Sequence, residues 1–247
     1  MNCLVTGGAG FIGSHIVRGL LERGHSVRVL DNFSTGKRSN VVEIAESIEL
    51  VEGDIRSFHI VREAVEGVDV IFHQAALPSV PRSIKDPITT HEVGVNGTLN
   101  LLQAARDCGV GRVIFASSSS IYGNNPVLPK HEELIPAPMS PYAVSKLTCE
   151  HYLHVAHELY GLETVALRYF NVFGPRQDPT SQYSAVIPRF IQMMRRGERP
   201  TIYGDGEQSR DFTYVDNVVH ANLLVATAES GVSGRVFNAA CHDRITL

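Results

Sequence analysis

The stretch "LVTGGAGFIGSH", residues 4–15, constrains the fold more than any other part of the chain. It sets Gly7, Gly10 and Gly13 at three-residue spacing between a short apolar run, Cys3-Leu4-Val5, and a helix-like pattern over residues 13–23. Glycine collects in ordinary turns, so the spacing alone is weak evidence. Between a strand and a helix, however, such glycines let backbone come close to a phosphate held on the helix N-terminus. Further β-rich runs at 26–30, 49–51, 69–73, 112–116 and 164–168 alternate with helical patterns at 57–65, 96–108 and 141–160. That alternation predicts a doubly wound parallel sheet covered by helices on both faces.

Beyond residue 168 the texture changes. "NVFGPRQDPTSQYSAVIPRF" and "RPTIYGDGEQSRDF" are rich in Gly, Pro and polar residues, although 235–238 still reads as a sheet strand. The expected division is a dinucleotide-binding domain over 1–168 and a small substrate lobe over 169–247, interleaved with the last sheet strands. A net charge of -4 gives no reason to expect a nucleic-acid or anionic-membrane partner. Cys3, Cys108, Cys149 and Cys241 form no C-x-x-C pair, which fits free thiols in a reducing cytosol. "MNCLVTGGAG" shows no basic leader before a long apolar run, so the expected location is the cytoplasm.

Asp31 ends the second strand in "VRVLDNFSTG". A carboxylate there can accept from both hydroxyls of an adenosine ribose and would repel a 2′-phosphate, so NAD is favoured over NADP. Lys37 and Arg38 nearby work against that preference. Asp54, in "VEGD", is either an adenine-side residue or a cap for the helix from Ser57. "SPYAVSK" places Tyr142 and Lys146 four apart on one helix face. Tyrosine ionises near pH 10, and an adjacent ammonium is expected to lower that value towards use as a base. "VIFASSSSIYGN" drives an apolar strand straight into four serines, Ser117 to Ser120, which is unlike a flexible linker. His151, His154 and His157 invite a metal reading, but three-residue steps fan them around a helix instead of converging; no metal is expected.

Taken together, these motifs resemble the extended short-chain dehydrogenase/reductase family, and within it the NAD-dependent UDP-sugar 4-epimerases. The residues that carry the resemblance are Thr6 to Gly13, Asp31, Asp54-Ile55, "FHQAA" at 72–76, "SSSSIYG", Tyr142-x-x-x-Lys146, "LRYFNVFGPRQ" and "GDGEQSRDFTYV", spanning essentially the whole chain. The resemblance implies a Rossmann domain, bound NAD, a UDP-sugar substrate and a transient 4-keto sugar. It implies cofactor contacts from Gly7, Gly10, Phe11, Ile12, Gly13, Asp31, Asn32, Phe33, Ser34, Thr35, Gly36, Asp54, Ile55, Gln74, Ala75, Ala76, Tyr142, Lys146 and Tyr169. Aligned on Tyr122-Gly123, its catalytic hydroxyl falls on Ser118, beside Tyr142 as base and Lys146 as activator. Ser118, Ser119, Ser120, Tyr142, Asn171, Val186, Tyr203 and Arg210, with Arg176, fall in segments that resemble the substrate pocket. The helices starting near Asn96 and Pro141 resemble the family's homodimer interface.

Related 4,6-dehydratases carry an acidic residue just after the catalytic hydroxyl, where this chain has Ser119. Elimination there lacks its acid and base, so epimerisation is favoured. The substrate is expected to be UDP-glucose/UDP-galactose or an N-acetylated form, with UDP-glucuronate as the alternative. Two departures stand out. Gly94 replaces the usual asparagine ahead of the 96–108 helix. The family pattern also runs on past "FNAACHDRITL", so an incomplete substrate lobe is expected, with a weakly active nucleotide-binding protein as the contrasting outcome.

Overall fold

The structure is a computed structural model that describes residues 1–178, 186–202 and 206–246. Its elements run β1 (Asn2–Thr6), α1 (Phe11–Leu21), β2 (Ser26–Asp31), β3 (Ile48–Glu52), α2 (Phe58–Val65), β4 (Val70–His73), α3 (Val80–Lys85), α4 (Pro87–His91), α5 (Gly97–Asp107), β5 (Arg112–Ser118), α6 (Pro141–Tyr160), β6 (Glu163–Tyr169), β7 (Val172–Phe173), α7 (Val186–Arg195), β8 (Ser209–Arg210), β9 (Thr213–Tyr214), α8 (Val215–Thr227), β10 (Arg235–Ala239) and β11 (Ile245–Thr246). Seven strands form one parallel sheet in the order β10-β6-β5-β4-β1-β2-β3. This is the Rossmann-type α/β fold. Two pairs, β11 with β8 and β7 with β9, lie outside that sheet in the smaller C-terminal region.

Side-chain alternation along each strand builds two cores. Leu4, Val113 and Phe115 face α2, α5 and α6. Their sequence neighbours Cys3, Val5, Ile114 and Ala116 face α1 and α8 on the other side. Strands buried on both faces read as continuous apolar runs, which is how they were visible in the sequence. α6 also has legible ends: Ser140 accepts from the Ala143 N–H at 3.2 Å, Pro141 opens the first turn, and Gly161 stops the helix at φ 69.

Two elements differ from expectation. α5 lies where the helix from Asn96 was expected, but helical chain already runs from Pro87, where Asp86 caps α4 through the Thr89 N–H at 3.0 Å. It then passes through a widened π turn at Glu92–Asn96 into α5. Gly94 sits in that turn against α6, where an added Cβ would lie 3.2 Å from Ser145 Cβ. Its carbonyl accepts from Thr98 Oγ1 at 2.5 Å and from Cys149 Sγ at 3.3 Å. The departure at Gly94 therefore permits close packing of α6 without leaving a helix start uncapped. The second difference is α8, a long helix in the region read as irregular, which packs directly on the main sheet.

Candidate active site

The strand order reverses between β1 and β4, and a cleft of about 820 Å³ opens there at the carboxyl ends of the strands. Gly7, Gly10, Phe11, Ile12 and Gly13 line one end. Gly7 needs its glycine twice: its φ is 69, and a Cβ would stand 2.8 Å from Ala75 Cα. A Cβ on Gly13 would collide with the Gly7 carbonyl. Gly10 starts α1 with no side-chain cap, so first-turn N–H groups are open towards the cleft.

Asp31 lies beside this turn, buried but on the cleft wall. Its oxygens accept from the Ala9 N–H at 2.9 Å and the Phe33 N–H at 2.8 Å. Burial pushes its carboxyl above the usual range, opposed by those two bonds. Asn32, Ser34, Thr35, Asp54 and Ile55 line the same end, as do Gln74, Ala75 and Ala76 on the adjoining loop. Asp54 lies on the cleft wall and does not cap α2, whose N-cap is Ser57. It faces the cleft, while Arg56 and Asn32 bond its side chain and its carbonyl takes the Ser57 N–H. The Arg56 hydrogen bond holds its carboxyl below the usual range.

Two expected cofactor residues do not reach the cleft. Phe33 adopts φ 56 and lies under the Arg38 guanidinium, 4.1 Å from its ring centre. Gly36 packs on Asp31, and a Cβ there would be 2.9 Å from both carboxylate oxygens. Both shape the Asp31 environment from behind. Tyr169 lines the cleft, but its hydroxyl bonds Gln74 and Asn222, and burial pushes it up to about 12.

At the other end the serines separate. Ser117 is buried and donates to Glu150 Oε1 at 2.5 Å, facing away from α1. Ser118 ends β5 on the cleft wall, accepts from the Ser120 N–H at 3.2 Å and is hydrogen-bonded to Tyr142. Ser119 and Ser120 turn into the following 3-10 turn and do not line the cleft; the Ser120 hydroxyl is buried without a hydrogen-bond partner. The tight turn carries Ser119 and Ser120 off the cleft wall and leaves Ser117 and Ser118 on it; the Ser117 hydroxyl is taken by Glu150, so Ser118 is the one that meets Tyr142.

Tyr142 and Lys146 come together as their spacing implied. Lys146 Nζ stands 5.8 Å from the Tyr142 ring centre, 4.6 Å from that of Phe115, and donates to the Ala116 carbonyl at 2.6 Å. The direction of the tyrosine shift is a correction. Burial pushes the Tyr142 phenol above its ordinary value, and the Ser118 hydrogen bond opposes it only in part. Burial instead lowers Lys146, to about 8. His73, beneath them, is held neutral by burial at about 3. It lies 2.7 Å from Thr6 Oγ1 and 3.0 Å from Thr98 Oγ1. Thr98 donates to Gly94, so it accepts from His73 Nε2–H.

On the substrate side, Asn171 and Arg176 line the cleft at φ 36 and 65. Val186 begins α7, and Arg210 lies exposed on β8 with its guanidinium on the Ser209 carbonyl; neither lines the cleft. Tyr203 lies outside the described residues. His151 and His154 are exposed on α6, while His157 bonds the Leu162 carbonyl. Sequence reasoning missed Leu77, Pro78, Ser79 and Arg82, which line the cleft after β4. Ser79 at φ 136 carries strain of the kind that collects at binding sites. Only the strand order, with β4 beside β1 at the switch point, brings this loop to the cleft.

The fold and this cleft define a dinucleotide-binding α/β protein with a serine–tyrosine–lysine constellation at the far end. The chain belongs to the NAD dependent epimerase/dehydratase family, whose model matches residues 3–240. It is 40% identical over 242 residues to the UDP-glucose 4-epimerase of Mycolicibacterium smegmatis, covering 96% of this chain and 76% of that protein. Among solved structures, it superposes with TM-score 0.94 and 45% identity on the UDP-N-acetylglucosamine 4-epimerase from Methanobrevibacter ruminantium M1 in complex with UDP-N-acetylmuramic acid. The match spans 99% of this chain and 78% of that one. The UDP-glucose 4-epimerase of Thermus thermophilus in complex with NAD gives TM-score 0.91 at 42% identity, over 100% of this chain and 79% of that one.

Proposed function

We propose that this chain interconverts the C4 epimers of a UDP-hexose with NAD as resident cofactor. The substrates are UDP-glucose and UDP-galactose or their N-acetylated forms, and the sugar passes through a transient 4-keto state. The observation that carries this reading is one cleft holding both an open glycine turn beside Asp31 and a Ser118–Tyr142 pair over buried Lys146. The turn, the uncapped start of α1 and the Asp31 carboxylate suit a dinucleotide diphosphate and ribose diol. When bound, NAD supplies reversible hydride acceptance at the sugar carbon.

The chain's own residues handle the proton. Tyr142, neutral at pH 7, is assigned to the 4-hydroxyl, with Ser118 completing the path by which one proton is taken and returned. Lys146 sets a positive charge beside the phenol and counters the cost of any anionic character it acquires. The carboxylates on the cleft wall, Asp31, Asp54 and Asp178, come from the dinucleotide-end loops and from the loop after β7; none follows Ser118. That favours epimerisation over elimination of water. Asn171 and Arg176, with Val186, Tyr203 and Arg210 from the segments after Tyr169, are assigned to the sugar nucleotide.

The test is a substrate panel of UDP-galactose, UDP-N-acetylgalactosamine and UDP-glucuronate, with products followed by NMR. C4 inversion of a neutral hexose is expected. Exclusive turnover of the uronate would move the assignment to UDP-glucuronate. A pentose, a deoxy sugar or no turnover at all would sink it. The four cysteines are unpaired, and no helix among the described residues is long and apolar enough to cross a membrane. We place the protein in the cytoplasm on the thiols. We also assign a homodimer through α5 and α6, because Val144, Tyr152, Val155 and Leu159 form an exposed apolar stripe on α6. Sedimentation showing only monomer at micromolar concentration would refute the dimer.

A further inference from the structure

Two basic side chains follow Asp31 in the loop at the dinucleotide end of the cleft, and both are tied to carboxylates. Arg38 donates through Nη2 to both oxygens of Glu52, at 2.7 and 2.6 Å. Glu52 stands opposite Asp31 in the β2–β3 register, so the arginine is drawn across the strand end that presents the ribose-binding carboxylate. The flat face of Arg38 rests on Phe33, whose N–H holds Asp31 in place. Lys37 lines the cleft itself, and its Nζ lies 3.1 Å from Asp178, which lines the cleft from the loop after β7. Asp54 is engaged by Arg56. Around the Asp31 site, the three cations Lys37, Arg38 and Arg56 are each paired with a carboxylate.

A basic side chain close after the second strand is what receives a ribose 2′-phosphate in NADP-binding relatives of this fold. This loop has two, beside a carboxylate that selects against that phosphate. All four paired side chains are substantially exposed, and exposed ion pairs contribute little to stability. Their effect on a dianion arriving beside Asp31 is larger, directly for Lys37 and Asp178 on the cleft wall and at longer range for Arg38 and Glu52 beside it. It meets guanidinium and ammonium groups already bonded, and two more negative charges within range of its own.

Building on the NAD assignment above, we propose that Glu52 and Asp178 are specificity determinants that act with Asp31 to exclude a 2′-phosphorylated dinucleotide. They do so by occupying Arg38 and Lys37. The preference is thus distributed over strand β3 and the loop after β7, with Asp31 as its centre.

Calorimetric titration of NAD and NADP tests this on the wild type, Asp31→Asn, Glu52→Gln, Asp178→Asn, the Glu52→Gln, Asp178→Asn double variant, and that double variant carrying Arg38→Gln. The quantity read is the ratio of NADP to NAD affinity within each protein, so a general loss of binding cancels. It should rise about threefold in each single variant and about tenfold in the double, the scale expected of exposed charge pairs. Adding Arg38→Gln should take most of that gain away. A ratio in the double variant equal to wild type, while Asp31→Asn shifts it, would show that Asp31 acts alone and overturn the proposal. A wild type that binds neither dinucleotide would instead overturn the NAD assignment, and this proposal with it.

Discussion

The burial of Lys146 has a measurable cost that depends on pH. Lys146 is 5% exposed, and that burial, only partly offset by Cys149 and Glu150, brings its ammonium from 10.5 to about 8. Between those values the unfolded chain holds a proton that the folded chain has released. Folding stability contributed by this group therefore rises with pH from about 8 towards 10.5, and is lowest below 8. A gap of about 2.5 pH units at about 1.36 kcal/mol each corresponds to roughly 3 kcal/mol between pH 7 and 10.5. Lys146→Met keeps the apolar stem and removes the titration. It also removes the bond to the Ala116 carbonyl, but that loss does not vary with pH and cancels in the slope.

The assay is urea unfolding by circular dichroism at steps from pH 7 to 10.5, because the chain has no tryptophan and tyrosine emission itself changes over that range. The stability of Lys146→Met relative to wild type should fall by about 3 kcal/mol across the series. Parallel curves would mean that Lys146 keeps its ordinary proton affinity in the folded state. The low-dielectric account of this end of the cleft would then be wrong.

Tyr142→Phe should retain NAD binding by calorimetry and lose turnover by at least about a hundredfold, the usual scale for an acid–base residue; near-normal turnover removes it from the mechanism. Ser118→Ala should be severe and Ser120→Ala mild, since only Ser118 faces the cleft and bonds Tyr142; the reverse order, read in kcat, would place the catalytic hydroxyl two residues on. Glu150→Ala should cost about 3–5 kcal/mol in urea unfolding, because it strands the buried Arg168 guanidinium, now bonded at 2.7 Å, and removes the acceptor of Ser117. The Glu150→Leu, Arg168→Met double variant should recover most of that loss, and strict additivity of the two changes would show that the pair is not coupled.

What was legible in the sequence follows from which constraints are local. Strands such as 112–116 and 164–168 announce themselves because both faces are buried, so their middles, Val113 to Ala116 and Val165 to Leu167, are unbroken apolar runs. α6 is bounded by a cap and a glycine that act within one turn of chain. Tyr142, Lys146 and Ser118 lie on such elements, and their meeting follows once β5 and α6 are placed. The loop after β4 was not readable in the same way. Leu77, Pro78, Ser79 and Arg82 become wall residues only because the sheet order reverses between β1 and β4, a relation between strands more than sixty residues apart. The same limit explains Arg210 and Val186, whose places depend on how the segments after Tyr169 fold back on the sheet.

The reversed direction at Tyr142 has a different origin. Spacing tells that a lysine shares a face with a tyrosine, and charge proximity alone then lowers the phenol. Burial is set by neighbours distant in the chain, Phe115 and Ala116 of β5 among them, and it raises the phenol while lowering the ammonium. Both groups are thereby moved towards their neutral forms. A site arranged in this way does not keep a standing phenolate at pH 7. Under the proposed reaction, the proton would move through the Ser118–Tyr142 pair as the sugar oxygen arrives, with Lys146 charged below about 8 to stabilise that moment. Turnover should therefore weaken as pH rises through about 8, in the interval where the Lys146 contribution to folding begins to improve. The group assigned to activate Tyr142 is thus also the one whose burial costs the fold.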